Sequence, residues 1–330
     1  TPPSKPPVLP PPLLGEASGF AENYLGSPRQ GSWRGAKRRD WGLVLLLQII
    51  YTDTESRFGG FPPFLRIILY GELIPMITIR EYVRPASLEE AWTLNQKRTS
   101  RVIGGMLWLK MQNAAVGTAI DLSGLGLDKI EETPEGFAIG AMVSLRALET
   151  HAGLNEYTNG AMREALRHIV GVQFRNTATL GGSVYGRFGF SDVLTVLLAL
   201  NASVELYKGG IVPLAQFAEM PFDRDILVRV HIPKENAAFF YQSVRPTKTD
   251  FPSLTCAAAR LADGAYRFAV GARPGRAVVL TPQCALGELP EIVSAQVTTG
   301  SNLRGSAAYR KHLIRVLVRR AVDELEGGAK

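Results

Sequence analysis

Two adjacent glycines in a short polar run between two apolar helical patterns constrain this chain more than any other feature. The run is Arg175-Asn176-Thr177-Ala178-Thr179-Leu180-Gly181-Gly182-Ser183, and Asp192 follows nine residues later. Gly160 to Ile169 has helical spacing before it, and Asp192 to Leu200 has it after. Glycines let backbone come close to a ligand because no Cβ stands in the way. Thr179 and Ser183 flank the pair with hydroxyls that can donate to phosphate oxygens. Successive N–H groups in such a loop form an anion-binding concavity. A Gly-Gly pair alone more often marks a plain tight turn between packed helices. A second stretch shifts that balance: Val102-Ile103-Gly104-Gly105-Met106-Leu107-Trp108 reads as a short buried strand running into another Gly-Gly turn. Two glycine loops suit a diphosphate, whose charges can be shared among backbone donors without a dedicated Lys or Arg.

The remaining chemistry is defined mostly by exclusion. The chain has 330 residues, 46% hydrophobic and 20% charged, which is enough for two domains of ordinary composition. The net charge is +7, but the densest basic groups, Arg34 to Arg39 and the helix from Arg310 to Arg320, form no long block. Both read as solvated or partner-facing, not as a nucleic-acid surface. Cys256 and Cys284 are the only cysteines, so a disulfide framework, a zinc site and a cysteine-held iron–sulfur cluster are not expected, and the pattern fits a reducing cytoplasm. His151, His168, His231 and His312 are widely spaced and read as structural. Neither G-x-x-x-x-G-K-[ST] nor a strand-linked G-x-G-x-x-G occurs, so a dinucleotide would bind outside the P-loop and Rossmann schemes. No nucleophile or acid/base pair emerges.

From Met76 the pattern is regular. Ile77 to Val83 is a predicted strand, and Ser87 with Glu90 is a capping box opening a helix to about Gln96. Strands are predicted at Arg101 to Ile103 and Thr118 to Asp121, and a hairpin at Ile130 to Ile139 around Pro134-Glu135-Gly136. Ser144 caps a helix to about Thr150. Ser203 to Tyr207 and Leu227 to Ile232 are further strands. Beyond Ala237 the strands lengthen (238–244, 253–261, 266–270) and a helix runs from about Ser306 to Leu325. Leu313, Val316, Leu317, Val318, Ala321 and Leu325 form its apolar stripe, with the arginines on the other face. Alternating helices and strands indicate α/β or α+β.

The paired loops resemble the FAD-binding, medium-sized subunit of the molybdenum hydroxylases, the xanthine dehydrogenase and carbon monoxide dehydrogenase group. That family carries an A-G-G-[TH]-[DS]-L loop after an early strand, and R-N-x-A-T-[IL]-G-G-[NS] followed by an S-D that opens a helix. Arg175 to Ser183 and Ser191-Asp192 match the second motif closely. Ile103-Gly104-Gly105 match the first, but Met106 stands where the family has a small polar residue, which puts one side-chain phosphate contact in question. The resemblance covers about residues 76 to 325. It implies an α+β protein: a two-part FAD-binding α/β domain over 76–235, then a smaller α+β C-terminal domain over 236–330. Carried over by position, Ile103, Gly104, Gly105, Met106 and Leu107 line one side of the diphosphate. Thr179, Gly181, Gly182 and Ser183 line the other, and Asp192 accepts from a cofactor hydroxyl. The segment 246–252 falls where the family has a loop approaching the flavin. Trp108 and Tyr185 are either ring contacts or core. The implied role is electron transfer through FAD. A small subunit with two [2Fe–2S] clusters and a large molybdenum-cofactor subunit would be separate chains, and NAD+ the common acceptor. Two other readings remain open: a stand-alone FAD-dependent oxidoreductase of the same superfamily, and a binding module that has lost FAD.

Residues 1–75 differ in texture. They hold 11 of the 21 prolines and open on TPPSKPPVLPPPLL. Leu43 to Ile50 is too short to span a bilayer, and the layout is not that of a signal peptide. Gly71-Glu72 is encoded by a purine-rich string three codons before Met76. The segment is therefore expected to be a non-native extension translated from upstream DNA, with Met76 as the start. A disordered or partner-binding extension is the competing reading.

Overall fold

Hydroxyl caps open five of the ten described α-helices. The structure is a computed structural model that describes residues 77–327; the expectations for residues 1–75 and for a start at Met76 lie outside the described residues. Strand β1 (Thr78–Val83) leads to helix α1 (Leu88–Asn95), whose cap Ser87 accepts from Glu90 N at 3.1 Å. The Glu90 carboxylate reaches back to Ala86 N at 2.7 Å, one residue earlier than a standard capping box. There follow β2 (Arg101–Ile103), β3 (Ala115–Asp121), β4 (Ile130–Glu132) and β5 (Gly136–Gly140). Six helices come next: α2 (Leu145–Thr150), α3 (Ala152–Tyr157), α4 (Ala161–Leu166), α5 (Val172–Thr177), α6 (Leu180–Tyr185) and α7 (Asp192–Ala199). The chain continues through β6 (Ser203–Leu206), β7 (Gly210–Pro213), α8 (Leu214–Glu219) and β8 (Leu227–Pro233). It ends with β9 (Ala237–Val244), β10 (Leu254–Leu261), β11 (Tyr266–Gly271), β12 (Val278–Leu280), α9 (Leu289–Gln296) and α10 (Ala307–Leu325).

The strands form three sheets. A small parallel sheet has the order β1-β3-β2, with Ile103 opposite Asp121 at its end. The second has the order β4-β5-β8-β6-β7 and the third β12-β11-β10-β9, both antiparallel. The class is α+β, as expected. Parallel pairing of neighbouring strands is confined to the first sheet; in the second, β5 and β6 point the same way across the run α2–α7, but antiparallel β8 lies between them.

All eight residues of α7 are buried. A helix buried all round must be covered on every side, and the main core does so, joining Phe137, Ile139 and Leu180 to Tyr241, Ala257 and Ala269. A second core lies between the last sheet and α10, around Phe268, Ile314 and Leu317. Its stripe differs from the sequence expectation at two positions. Ile314 is fully buried, whereas Val316 is half-buried. Arg310, expected on the solvated face, is also fully buried. Its guanidinium donates to Ser253 O (2.8 Å), Gly300 O (2.8 Å), Asn302 Oδ1 (2.6 Å) and Gly305 O. Carbonyls left over by the turn before α10 supply enough acceptors to satisfy a charge that burial would otherwise penalise.

Candidate functional site

Seen in three dimensions, the glycines serve first to press two segments together. A Cβ on Gly104 would overlap Thr179 Oγ1, and one on Gly105 would overlap the Thr177 carbonyl. A Cβ on Gly181 would stand 2.8 Å from both Ala141 Cβ and Ala141 O. The turn after β2 therefore lies directly on the Thr177–Thr179 corner, and that corner lies on the end of β5. The expected polar loop is two short helices, α5 and α6, meeting at Ala178-Thr179. Gly181 and Gly182 fall in the first turn of α6.

This changes which backbone groups are free. In α6 the donors are already engaged: Leu180 N meets Val143 O (2.8 Å), Gly181 N meets Ala141 O (2.7 Å) and Gly182 N meets Thr179 Oγ1 (3.2 Å). Ser183 Oγ donates to Thr179 O at 2.9 Å, so only its acceptor capacity is left. Thr179 Oγ1 acts as acceptor to Gly182 N, which leaves its own proton available. In the other loop, no N–H of Gly104, Gly105, Met106 or Leu107 meets an acceptor among the described residues. Met106 has φ +56°, a left-handed conformation that turns successive N–H groups to one side as an anion-binding nest. Its side chain packs with Ile103, Val116 and Ala119. An apolar residue fits there because that position faces a small core, while the backbone does the polar work.

Ile103, Gly104, Gly105, Met106, Leu107, Thr179, Gly181, Gly182, Ser183 and Asp192 all line one cavity of about 880 Å³. A volume of that size suits a large cofactor. The four unpartnered N–H groups, the Thr179 hydroxyl and a carboxylate suit the diphosphate and hydroxyls of FAD.

Asp192 begins α7, with Ser191 as the cap accepting from Leu194 N at 3.0 Å. Asp192 Oδ1 accepts from Tyr241 Oη (2.5 Å) and from the Arg245 guanidinium. Burial pushes the Asp192 carboxyl upward, and Arg245 and Tyr241 oppose that shift. A second buried ion pair stands behind the glycine segments: Arg175 donates to Glu149 through Nε (2.7 Å) and Nη2 (3.3 Å), and through Nη1 to Ile169 O (3.0 Å). Glu149, Tyr241 and Arg245 carried no signal in the sequence, since their partners are 26, 49 and 53 positions away. An aromatic wall completes the cavity. Trp108 lies 5.9 Å from Phe174, 5.8 Å from Phe190 and 5.6 Å from Phe251, and Phe190 lies 4.3 Å from Phe251. Phe251 belongs to the 246–252 segment. The alternation Phe188-Gly189-Phe190 just before Ser191-Asp192 was the available clue to the rest of the wall. Tyr185 also lines the cavity. Its hydroxyl donates to Asp223 O (2.7 Å), and burial pushes its phenol up to about 12.

Of the histidines, His151 caps α3 through Nδ1 at 3.1 Å from Leu154 N, and His231 meets Glu205 at 2.9 Å. Among the described residues no group of three or more His, Cys, Asp or Glu is placed to hold a metal, and no helix is long and apolar enough to cross a membrane.

Residues 76–235 match the family described as the FAD binding domain in molybdopterin dehydrogenase. Those residues form a domain of that family. The chain that carries it is an FAD-binding oxidoreductase subunit of the molybdenum hydroxylase type. Among similar proteins is the medium subunit of nicotine 6-hydroxylase from Paenarthrobacter nicotinovorans. It is 28% identical over 281 residues, covering 76% of this chain and 97% of that one. The uncharacterized protein YgfM of Escherichia coli (strain K12) is 27% identical over 248 residues, covering 73% and 94%. Among solved structures, CO dehydrogenase from Oligotropha carboxidovorans aligns with a TM-score of 0.68 at 21% identity, over 76% of this chain and 99% of the matched chain. That likeness bears on the fold.

Proposed function

We propose that this chain is the FAD-carrying electron-transfer subunit of a cytoplasmic heteromeric molybdenum hydroxylase. In this reading it takes electrons from the [2Fe–2S] clusters of a separate small subunit, upstream of which a large molybdenum-cofactor subunit oxidises the substrate. It passes them to an acceptor such as NAD+. The observation that carries the reading is the convergence of ten residues from three separate stretches on one cavity, with four adjacent N–H groups of 104–107 lacking acceptors among the described residues. The 104–107 backbone and the Thr179 hydroxyl would hold the diphosphate, and Asp192 would accept from a hydroxyl. Residues 76–235 would form the cofactor-holding domain. Residues 236–330 would cover the ring, with Phe251 and Trp108 excluding water. FAD, when bound, supplies the ability to take and give electrons; the protein supplies position and electrostatics. The relative named as a medium subunit supports a heteromeric assembly.

The test is to purify the full chain from cells that also express its neighbouring subunits. A flavin spectrum, FAD released at near one per chain, co-purifying iron–sulfur and molybdenum chains and substrate-dependent NAD+ reduction are the expected results. A folded, colourless chain that added FAD does not restore would overturn the cofactor reading. A yellow chain that recruits no partner and oxidises a substrate alone would favour a stand-alone enzyme.

A further inference from the structure

Asp192 is nearly fully buried, and both of its observed partners sit on the same oxygen. Tyr241 Oη donates to Oδ1 at 2.5 Å, and the Arg245 guanidinium donates to Oδ1 as well. Tyr241 is only 5% exposed, and the Arg245 side chain only 7%. Oδ2 has no partner among the described residues, and Asp192 lines the cavity. Tyr241 lies on β9 and Arg245 directly follows it, so one strand end delivers both donors to the first residue of α7. Arg245 is itself held: Nε meets Ser243 Oγ (3.1 Å) and Nη1 meets Asp250 O (2.7 Å). The other charged groups near this cluster stand beyond Arg245: Asp250, which pairs with Arg304, and His168 and Lys248. None of them donates to Asp192.

We propose that Tyr241 and Arg245 are positioning residues that saturate one oxygen of Asp192, keep the group a carboxylate in a buried setting, and leave the other oxygen to accept from a hydroxyl of FAD. The inference rests on the reading that Asp192 meets the cofactor. Its physical basis is that a buried carboxylate without a cation takes up a proton and becomes a poorer acceptor. A carboxylate whose two donors share one oxygen is both charged and oriented. Arg245 supplies the charge, and Tyr241 fixes the rotation.

The experiment is FAD titration into the flavin-stripped full chain, followed by quenching of flavin fluorescence between pH 5 and 9. The wild-type protein is expected to hold its affinity to lower pH than the Arg245→Gln variant, because Arg245 and Tyr241 oppose the upward push of burial on the Asp192 carboxyl. Asp192→Asn binds more weakly by about tenfold or more at every pH, the loss of a charge-assisted hydrogen bond. Arg245→Gln approaches wild-type affinity at high pH and falls toward the Asp192→Asn level as pH is lowered, since its unpaired Asp192 protonates. Tyr241→Phe shows a smaller change in the same direction, and Arg245→Lys restores the wild-type profile. If Arg245→Gln does not fold, judged by thermal unfolding without FAD, Tyr241→Phe carries the test, because the ring still fills its place. Wild-type binding in Asp192→Asn sinks the underlying reading and the inference together. Weakened binding in Asp192→Asn alongside wild-type pH profiles in both Arg245→Gln and Tyr241→Phe overturns the inference alone, whether those variants bind as wild type or are uniformly weakened.

Discussion

Replacing Glu149 by Gln should destabilise the whole described unit, and the size of the effect follows from the geometry. Glu149 and Arg175 are 6% and 4% exposed, and they meet through two hydrogen bonds at 2.7 and 3.3 Å. An amide in place of the carboxylate strands the Arg175 guanidinium in a buried site; breaking such a pair from one side costs about 3–5 kcal/mol. Arg175 keeps one acceptor, Ile169 O, which argues for the lower end. Arg146, the second partner of Glu149 at 2.8 Å, is half-exposed, so losing that contact adds less than about 1 kcal/mol. A loss of about 3 kcal/mol lowers Tm by about 6–12 °C in a unit of this size. Burial tends to raise the Glu149 carboxyl, yet Arg175 and Arg146 hold it below its ordinary range. A group depressed on folding contributes stability that is fully present above its unfolded value, about 4.3, and is lost as pH falls through its folded value. The assay is thermal unfolding of wild type and Glu149→Gln at pH 7 and at steps below pH 5. The Tm gap should be full at pH 7 and should narrow in acid as wild-type Glu149 protonates. Adding Arg175→Met to Glu149→Gln removes the stranded charge and should recover part of the loss. A gap that does not change with pH, or a double variant no more stable than the single one, would refute the reasoning.

Gly105→Ala would drive a methyl into the Thr177 carbonyl, which is backbone and cannot swing aside; overpacking of about 1–3 kcal/mol predicts about a tenfold loss of FAD affinity, read by flavin titration of the stripped chain. Leu317→Ala, at a fully buried position of α10, should cost about 2–5 kcal/mol in denaturant unfolding. Arg310→Met removes a donor from Gly300 O, Asn302 Oδ1 and Gly305 O in the turn before α10 and from Ser253 O, and only Asn302 Oδ1 and Gly305 O keep another, so faster backbone hydrogen exchange at residues 300–306 is expected, with little change around α6. The Cys256 thiol is buried and pushed up to about 12, so a thiol reagent at pH 8 should modify Cys256 only after unfolding, while Cys284, half-buried, reacts in the native chain.

Most elements were legible because their signals are local. Ser87, Ser144 and Ser306 each cap the helix they were expected to open, and the 130–140 hairpin forms around its Pro-Glu-Gly turn. Where the reading departs from the structure, the deciding interaction is long-range. An arginine spaced for the solvated face of α10 reads as exposed until Ser253, Gly300, Asn302 and Gly305 converge on it from two other parts of the chain. Periodicity measures which face a residue occupies, not whether acceptors wait on the buried side.

The glycine pairs make the same point at the site. Sequence reasoning identified both segments, because glycine marks close approach whatever is being approached, and the family resemblance supplied the ten residues that share the cavity. It could not tell close approach to a ligand from close approach to another stretch of backbone. Gly105 against Thr177 and Gly181 against Ala141 are the second kind. The consequence is a division of labour invisible in the motif. The well-matched segment, 175–183, consumes its own N–H groups in the scaffold, while the segment that departs from the family pattern at Met106 retains unengaged N–H groups. If those groups hold the diphosphate, the side chain at 106 matters less than its left-handed backbone. A Gly there would then preserve FAD affinity, whereas a Pro, locked at negative φ and lacking the N–H, would abolish it.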